Sequence, residues 1–448
     1  MRTNGKCDMR PILIQEHERL SVEQDSRFDN LHLVRWDKPM DYEPWGYYAS
    51  YVIGAEWIDE NEALVVTTKR GMEEIDFLAM FMTCFSSNLS ADAFSQIYTI
   101  DSDAPVIYAP SLKGIISPLI VLHFLAVVSR IKSLKKGYVH YSGNLKKVKG
   151  RINVIRNERT NMAIKRFDRV FCEYDEYTVD IPENKLIKKA LLFCKQILRT
   201  VIEHHEDGSK VKQMLLKSLL MFERVSEDVQ VREVTQIKAH KLFNEYSEAV
   251  RLAKLILRRY DFSISKTSTE DDNILPFTLD MSLLYEHYVY GLLHDAYGDK
   301  ILYQVKGRTG YSDFLYKSHN FKAILDTKYI PKYDESYLLD NYVVRQLSGY
   351  SRDLPILQKL GYNEIDEESP LPDVPCIIIY PKERDEITNP FSENKLQDLC
   401  RTPVRRLMRF YKICIPLPVV PAKITVKQTI PTRQFIGWQV LNNKPAFA

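Results

Sequence analysis

The chain has 448 residues, 45% of them apolar and 27% charged, with only 16 glycines; that suits two or three packed domains and excludes collagen-like or flexible low-complexity chains. The net charge of +3 hides an uneven spread, because residues 129–169 carry thirteen Lys or Arg against Glu158 and Asp168, and the remainder is acidic. That stretch suits contact with phosphates, contact with an acidic protein partner, or a plain solvated surface.

Residues 10–70 read as strands and turns: PILIQ, YYASYVIGAEWI and EALVVTTK are β-rich, with Asp59-Glu60-Asn61 as a turn. Residues 74–97 and 117–135 carry apolar positions at three- and four-residue spacing and read as helices. The run at 116–128 is too short to span a bilayer and reads as a buried helix. After the basic stretch, Pro182 sits where a helix starts, and ENKLIKKALLFCKQILRTVI is amphipathic. EHHEDGSK (203–210) breaks it, with His204 and His205 expected at an exposed helix end, and more helix runs to about Tyr260. The polar segment 263–276 reads as a linker between an N-terminal region, 1–262, and a C-terminal domain, 277–448. The C-terminal part shows a helix at 279–295, β-rich runs at 300–306, 311–317 and 321–330, a helix at 340–351 and a strand at 376–380. The fold class expected is a multidomain α/β chain.

Several chemistries are absent. Seven scattered cysteines without a CxxC pair argue against zinc knuckles and a disulfide scaffold and for reduced intracellular thiols. The N-terminus lacks the apolar core of a signal peptide, and no membrane association is expected. No HExxH pair and no GxxxxGK[ST] phosphate loop occur, so the chain is not expected to bind a nucleotide itself.

The chemistry resides in GYSDFLYKSHNFKAILDTKYI (310–330). If His319 and Asn320 form a two-residue hairpin loop, residues whose numbers sum to 639 lie opposite one another, which sets Asp313 across from Asp326. Asp326 and Lys328, two apart, share that face, while Leu325 and Thr327 point to the other. Two aspartates suit a hard cation such as magnesium, and a lysine beside them can orient an attacking water or stabilise a phosphorane. The bland alternative is a surface ion pair.

These residues resemble the core of PD-(D/E)XK nucleases, with Ser312 at the place of the name-giving proline. FTLDMSLLYEHYVYGLL (277–293) is similar to the helix that opens the nuclease domain of McrC proteins, and RQLSGY (345–350) resembles the Q-x-x-x-Y helix that follows the core. ALVVTTKRG (63–71), LKKVKGRINV (145–154) and CEYDEYTVDIPENKLIKKAL (172–191) resemble McrC segments upstream, and the last 65 residues have no such counterpart. The resemblance implies a β-rich and helical partner-binding region followed by a PD-(D/E)XK endonuclease-like domain. It implies Asp313, Asp326 and Glu286 as ligands of Mg2+ (or Mn2+), with Lys328, Gln346 and Tyr350 completing the catalytic set. The ordinary readings of Glu286, Gln346 and Tyr350 are an exposed helix carboxylate and helix packing. It further implies a type IV-like restriction endonuclease in a prokaryotic cytoplasm, acting on double-stranded DNA with an McrB-like AAA+ GTPase hexamer that binds the GTP. Competing readings are a stand-alone repair or recombination nuclease and a non-catalytic DNA-binding activator of a partner ATPase or GTPase.

Overall fold

The computed structural model describes residues 11–38, 43–86, 96–112, 114–202, 208–234, 244–265, 272–333, 339–382, 389–392 and 394–419. The first hundred residues supply β1 (Ile12–Gln15), β2 (Val34–Asp37), β3 (Gly46–Ala49), β4 (Val52–Trp57), β5 (Ala63–Thr67) and β6 (Tyr98–Ile100). β4 and β5 are short β-branched runs closed by the expected turn, where the Asp59 carboxylate accepts the backbone N–H groups of Asn61 and Glu62. β2 and β3 pair separately.

The helices α1 (Phe77–Ser86), α2 (Ile116–Ser129), α3 (Pro182–Ile202), α4 (Gly208–Met221) and α5 (Asn244–Ser265) form the layer beneath. α2 is buried at nearly every position from Leu119 to Val128, so its apolar run is continuous rather than striped. The stretch 110–129 is long and apolar enough to cross a membrane, with a mean hydropathy of 2.0, and 76% of it is buried inside the fold. The helix expected over 117–135 stops at Ser129, and the one expected over 74–97 is represented by α1, with 87–95 outside the described residues. His204 and His205 also lie outside them.

The basic stretch runs through one strand of a β-ribbon and the segment that joins it to the next, 146–169, where nine of its Lys and Arg lie. β8 (Gly137–Leu145) and β10 (Val170–Thr178) pair antiparallel over nine residues each, with β9 (Arg151–Ile152) on the other edge of β10. Cross-strand ring pairs, Tyr138 with Tyr177 at 5.1 Å and Tyr141 with Tyr174 at 5.7 Å, hold a sheet that buries little on either face. Tyr138, Val154, Ile155, Ile164 and Phe167 are exposed there.

The division expected at 263–276 is bridged by the first sheet. Residues 263–265 end α5, and β11 (Asn273–Ile274) pairs with β7 (Ile107–Tyr108). β12 (Phe277–Asp280) then runs between β4 and β6, giving the order β1-β5-β4-β12-β6. Gly54 makes the insertion possible. Its φ is 146°, and a Cβ there would lie 2.0 Å from the carbonyl oxygen of Phe277. Apolar complementarity between the two parts overrides the polar character of the intervening segment.

α6 (Met281–Tyr297) follows, capped by Asp280, whose carboxylate accepts the Leu283 N–H at 2.9 Å. The second sheet comprises β13 (Ile301–Lys306), β14 (Tyr311–Lys317), β15 (Lys322–Thr327), β16 (Cys376–Lys382) and β17 (Phe410–Pro416), in that order. The first three strands are antiparallel, and β15, β16 and β17 run parallel. One face, with Phe314, Leu325, Ile377 and Ile379, belongs to the core that contains α6 and the helical layer. The other, with Leu315, Ile324 and Ile378, packs with Val343, Leu347 and Tyr350 of α7 (Asn341–Tyr350) and Ile356 of α8 (Leu354–Lys359). Alternation along each strand divides the two sets.

Candidate active site

The β14–β15 hairpin has the expected register. Phe314 lies opposite Leu325, Leu315 opposite Ile324, Tyr316 opposite Ala323 and Lys317 opposite Lys322, all summing to 639. Ser318 N–H donates to Phe321 O at 3.0 Å, closing the two-residue loop. The next step of that register places Asp313 against Asp326, on the face that carries Leu315 and Ile324.

Asp326 is fully buried, and its Oδ2 is in contact with the Lys328 ammonium. Asp326 Oδ1 has no hydrogen-bond partner among the described residues. Burial first, and then the charge of Asp313, push its pKa up to about 7 against the pull of Lys328. Burial alone would push the Lys328 ammonium down, but Asp326 and Asp313 outweigh it and hold its pKa above the ordinary lysine value.

Thr327 departs from expectation. Its backbone N–H and its hydroxyl both donate to Asp313 Oδ2, each at 2.7 Å. β15 ends at this residue, so its side chain is released from the strict alternation of the pleat and turns to the adjacent carboxylate.

Glu286 on α6 is half-buried rather than exposed. Burial and then the Asp313 charge push it up to about 7, with a smaller contribution from Asp326, so the three carboxylates sense one another. Gln304 Nε2 donates to Glu286 Oε1 at 3.2 Å. Gln304 has a φ of 44°, and the alternation of β13 lapses there: Tyr303 packs into the core with α6, Val305 into the opposite core. Gln304 was not among the expected residues, although counting the β13–β14 register, whose pairs sum to 617, sets it opposite Asp313.

Gln346 and Tyr350 share a face of α7, and Gln346 Nε2 donates to Tyr350 Oη at 3.0 Å. Tyr350 is a buried member of the α7 core, and Gln346 reaches a cleft of about 420 Å3. Tyr51, Ser282, Lys328 and Tyr342 also line that cleft, so one wall comes from the loop before β4 in the first sheet.

No group of three His, Cys, Asp or Glu side chains forms a ready-made metal cage among the described residues. Asp326 Oδ1 nonetheless is a buried oxygen without a partner, and burial first, then the neighbouring carboxylate charge, raises Asp326 and Glu286 toward neutrality. A divalent cation would offset that carboxylate charge, and an all-oxygen donor set would suit magnesium or manganese.

The family model of the McrBC 5-methylcytosine restriction system component matches residues 108–352, more than half of the chain. The chain belongs to this family. The match takes in the ribbon with its basic connection, the helices α2 to α5, the β13–β15 strands and α7, and so all six expected site residues of this McrBC-family chain. No curated protein matches it. Among solved structures, it is similar to a chain in a half-complex of Thermococcus gammatolerans McrB AAA+ hexamers with bound McrC, at 14% identity and a TM-score of 0.36, covering 92% of this chain and 95% of that one. A chain in the cryo-EM structure of the Thermococcus gammatolerans McrBC complex is also 14% identical, with a TM-score of 0.27 and coverage of 63% and 87%.

Proposed function

We propose that this chain is the nuclease subunit of an McrBC-type restriction complex and hydrolyses DNA phosphodiester bonds at the Asp313–Asp326–Lys328 centre, in a PD-(D/E)XK-like domain. The observation that carries the reading is the contact of Lys328 with the buried Asp326, across the hairpin from Asp313, in a chain of the McrBC family. A lone surface ion pair accounts poorly for a carboxylate with no exposure whose Oδ1 is left without a partner.

In this reading Asp313, Asp326 and Glu286 hold the Mg2+ (or Mn2+). When bound, the ion polarises the phosphate and lowers the pKa of a water. Thr327 fixes Asp313 through its two hydrogen bonds, leaving the other carboxylate oxygen for the ion. Lys328, facing the cleft, orients the attacking water or meets the negative charge that develops on the phosphoryl oxygens. Gln346, held by Tyr350, lines the same cleft and supplies an amide for a phosphate oxygen or a water.

The partner in this reading is an McrB-like AAA+ GTPase hexamer, as family membership and the absence of a phosphate loop suggest. The segment 146–169 that joins β8 to β10, with nine Lys or Arg and with exposed Val154, Ile155, Ile164 and Phe167, is the surface best suited to that partner or to DNA. The test is plasmid cleavage by the full chain with its cognate GTPase, GTP and Mg2+. Asp326→Ala and Lys328→Ala are expected to abolish cleavage while leaving the complex assembled. Cleavage at the wild-type rate by Asp326→Ala would refute the site, and specific cleavage without partner or GTP would refute the division of labour.

A further inference from the structure

Lys328 stands where the sheet stops supporting its own chain. The last β15–β16 pair is Thr327 with Ile379, and the Lys328 N–H makes one more bond to Ile379 O at 2.8 Å. Beyond it the backbone turns away through a short Ile330 N–H to Lys328 O contact of 2.7 Å. The direction of the Lys328 side chain therefore depends on what fixes residue 329.

That fixing comes from the first sheet. Lys69, just after β5, donates from Nζ to the Tyr329 carbonyl oxygen at 3.1 Å, and the same ammonium lies 3.6 Å from the centre of the Tyr329 ring. Its backbone N–H donates to Glu16 Oε2 at 3.0 Å, and Glu16, just after β1, is 4% exposed. The Tyr329 hydroxyl reaches Met72 Sδ at 3.2 Å, and its ring packs on Tyr285 of α6 at 5.9 Å. A charged donor with a backbone acceptor and an aromatic face is a strong, directional clamp once water is excluded.

We propose that Lys69 is a positioning residue for the Lys328 ammonium, clamping the backbone of Tyr329 from the first sheet; the inference rests on the nuclease reading of that centre. Glu16 supports it by holding the Lys69 backbone and balancing its charge. Burial lowers the Lys69 ammonium to about 8 and raises the Glu16 carboxyl to about 7, as is expected of a pair enclosed between two sheets. Each charge would be costly without the other. Simple adhesion between the sheets would be met more cheaply by apolar side chains, whereas a bond to one carbonyl next to the active lysine fixes a direction.

The experiment uses the full chain with its cognate GTPase, GTP, Mg2+ and plasmid DNA. Lys69→Met keeps the stem and removes the donor. The double variant Glu16→Gln/Lys69→Met leaves no orphaned buried charge, and Lys69→Arg restores a donor. Two readouts are taken: amide hydrogen exchange of peptides spanning 324–333, and steady-state cleavage. Without the donor, exchange in that segment is expected to quicken about tenfold while the rest of the chain is unchanged. kcat is expected to fall about tenfold or more with KM within about twofold, and Lys69→Arg to recover most of both. Unchanged local exchange, unchanged kcat, a loss confined to KM, or an arginine variant as poor as the methionine one would each overturn the proposal. A wild-type chain that cleaves no DNA overturns the nuclease reading and takes the proposal with it; a wild-type chain that cleaves beside variants that cleave equally well overturns the proposal alone.

Discussion

Replacing Asp326 with asparagine is expected to stabilise the metal-free protein while destroying its activity. Asp326 has no exposed surface, and its pKa stands at about 7 against an ordinary 3.8. Above pH 7 the folded chain carries this carboxylate ionised at a cost on the order of 4 kcal/mol relative to the unfolded chain. Asparagine has the same shape and no charge, but it leaves Lys328 with Asp313 as its remaining acidic neighbour, so a net gain of about 2–4 kcal/mol is expected at pH 8. The sign follows from the raised folded-state value: the contribution of Asp326 to stability is full below pH 3.8 and is lost as the pH climbs through 7. The gap between variant and wild type should therefore be small at pH 4 and widest above pH 7. The assay is equilibrium urea denaturation of chelator-treated protein across that range, repeated with Mg2+, which should stabilise the wild type alone. A variant no more stable than wild type at pH 8, or equal stabilisation of both by Mg2+, would refute the account of Asp326 as a buried ligand.

Further outcomes follow from the same geometry. Asp313→Ala should abolish cleavage, whereas Glu286→Ala should reduce it by about tenfold or more, since in the proposed site Glu286 would be one of several ligands, on a separate helix; parallel kcat measurements decide between the two. Thr327→Val removes one of the two bonds to Asp313 and keeps the backbone one, so kcat should drop several-fold with the fold intact by circular dichroism. Mg2+ affinity should weaken by about tenfold or more from pH 8 to pH 6, because Asp326 and Glu286 must lose protons that they hold up to about pH 7; calorimetry in buffers of different ionisation enthalpy should record that proton release. Gly54→Ala should unfold or severely destabilise the chain, by about 3 kcal/mol or more, since the added carbon meets the Phe277 carbonyl, and thermal melts would show it.

The hairpin of the site was legible because its information is local. Two polar residues at a tip, flanked by apolar alternation, set the register, and the register places Asp313, Asp326 and Lys328 without any knowledge of the rest of the chain. The α7 pair, Gln346 and Tyr350, was legible for the same reason, as helical spacing alone puts them in reach of each other. Thr327 was misjudged because the pleat governs a side chain only while the strand lasts, and β15 ends there. Gln304 required a third strand and a left-handed backbone that no spacing rule announces. Tyr51 and Lys69 reach the site from a different sheet, a long-range juxtaposition that one-dimensional periodicity does not carry. The pairing of β12 was not legible beside the polar segment, because composition marks solvent exposure, whereas that strand is recruited by partners far back in the sequence.

The placement of β12 also fixes an order of events during synthesis. Its neighbours β4 and β6 leave the ribosome well before it, since Gly54 pairs with Thr278 more than 200 residues downstream. Until residue 280 has emerged, the first sheet lacks the strand that joins β4 to β6, with unsatisfied backbone groups along both rims. That half-made sheet is an aggregation hazard of the kind chaperones shield, and the slow closing of so long a loop should limit the folding rate. The arrangement has an evolutionary counterpart. A recombination breakpoint in the polar segment, where sequence alone suggests a seam, would exchange β12 along with the C-terminal part, so viable chimaeras should join after Asp280, at the cap of α6.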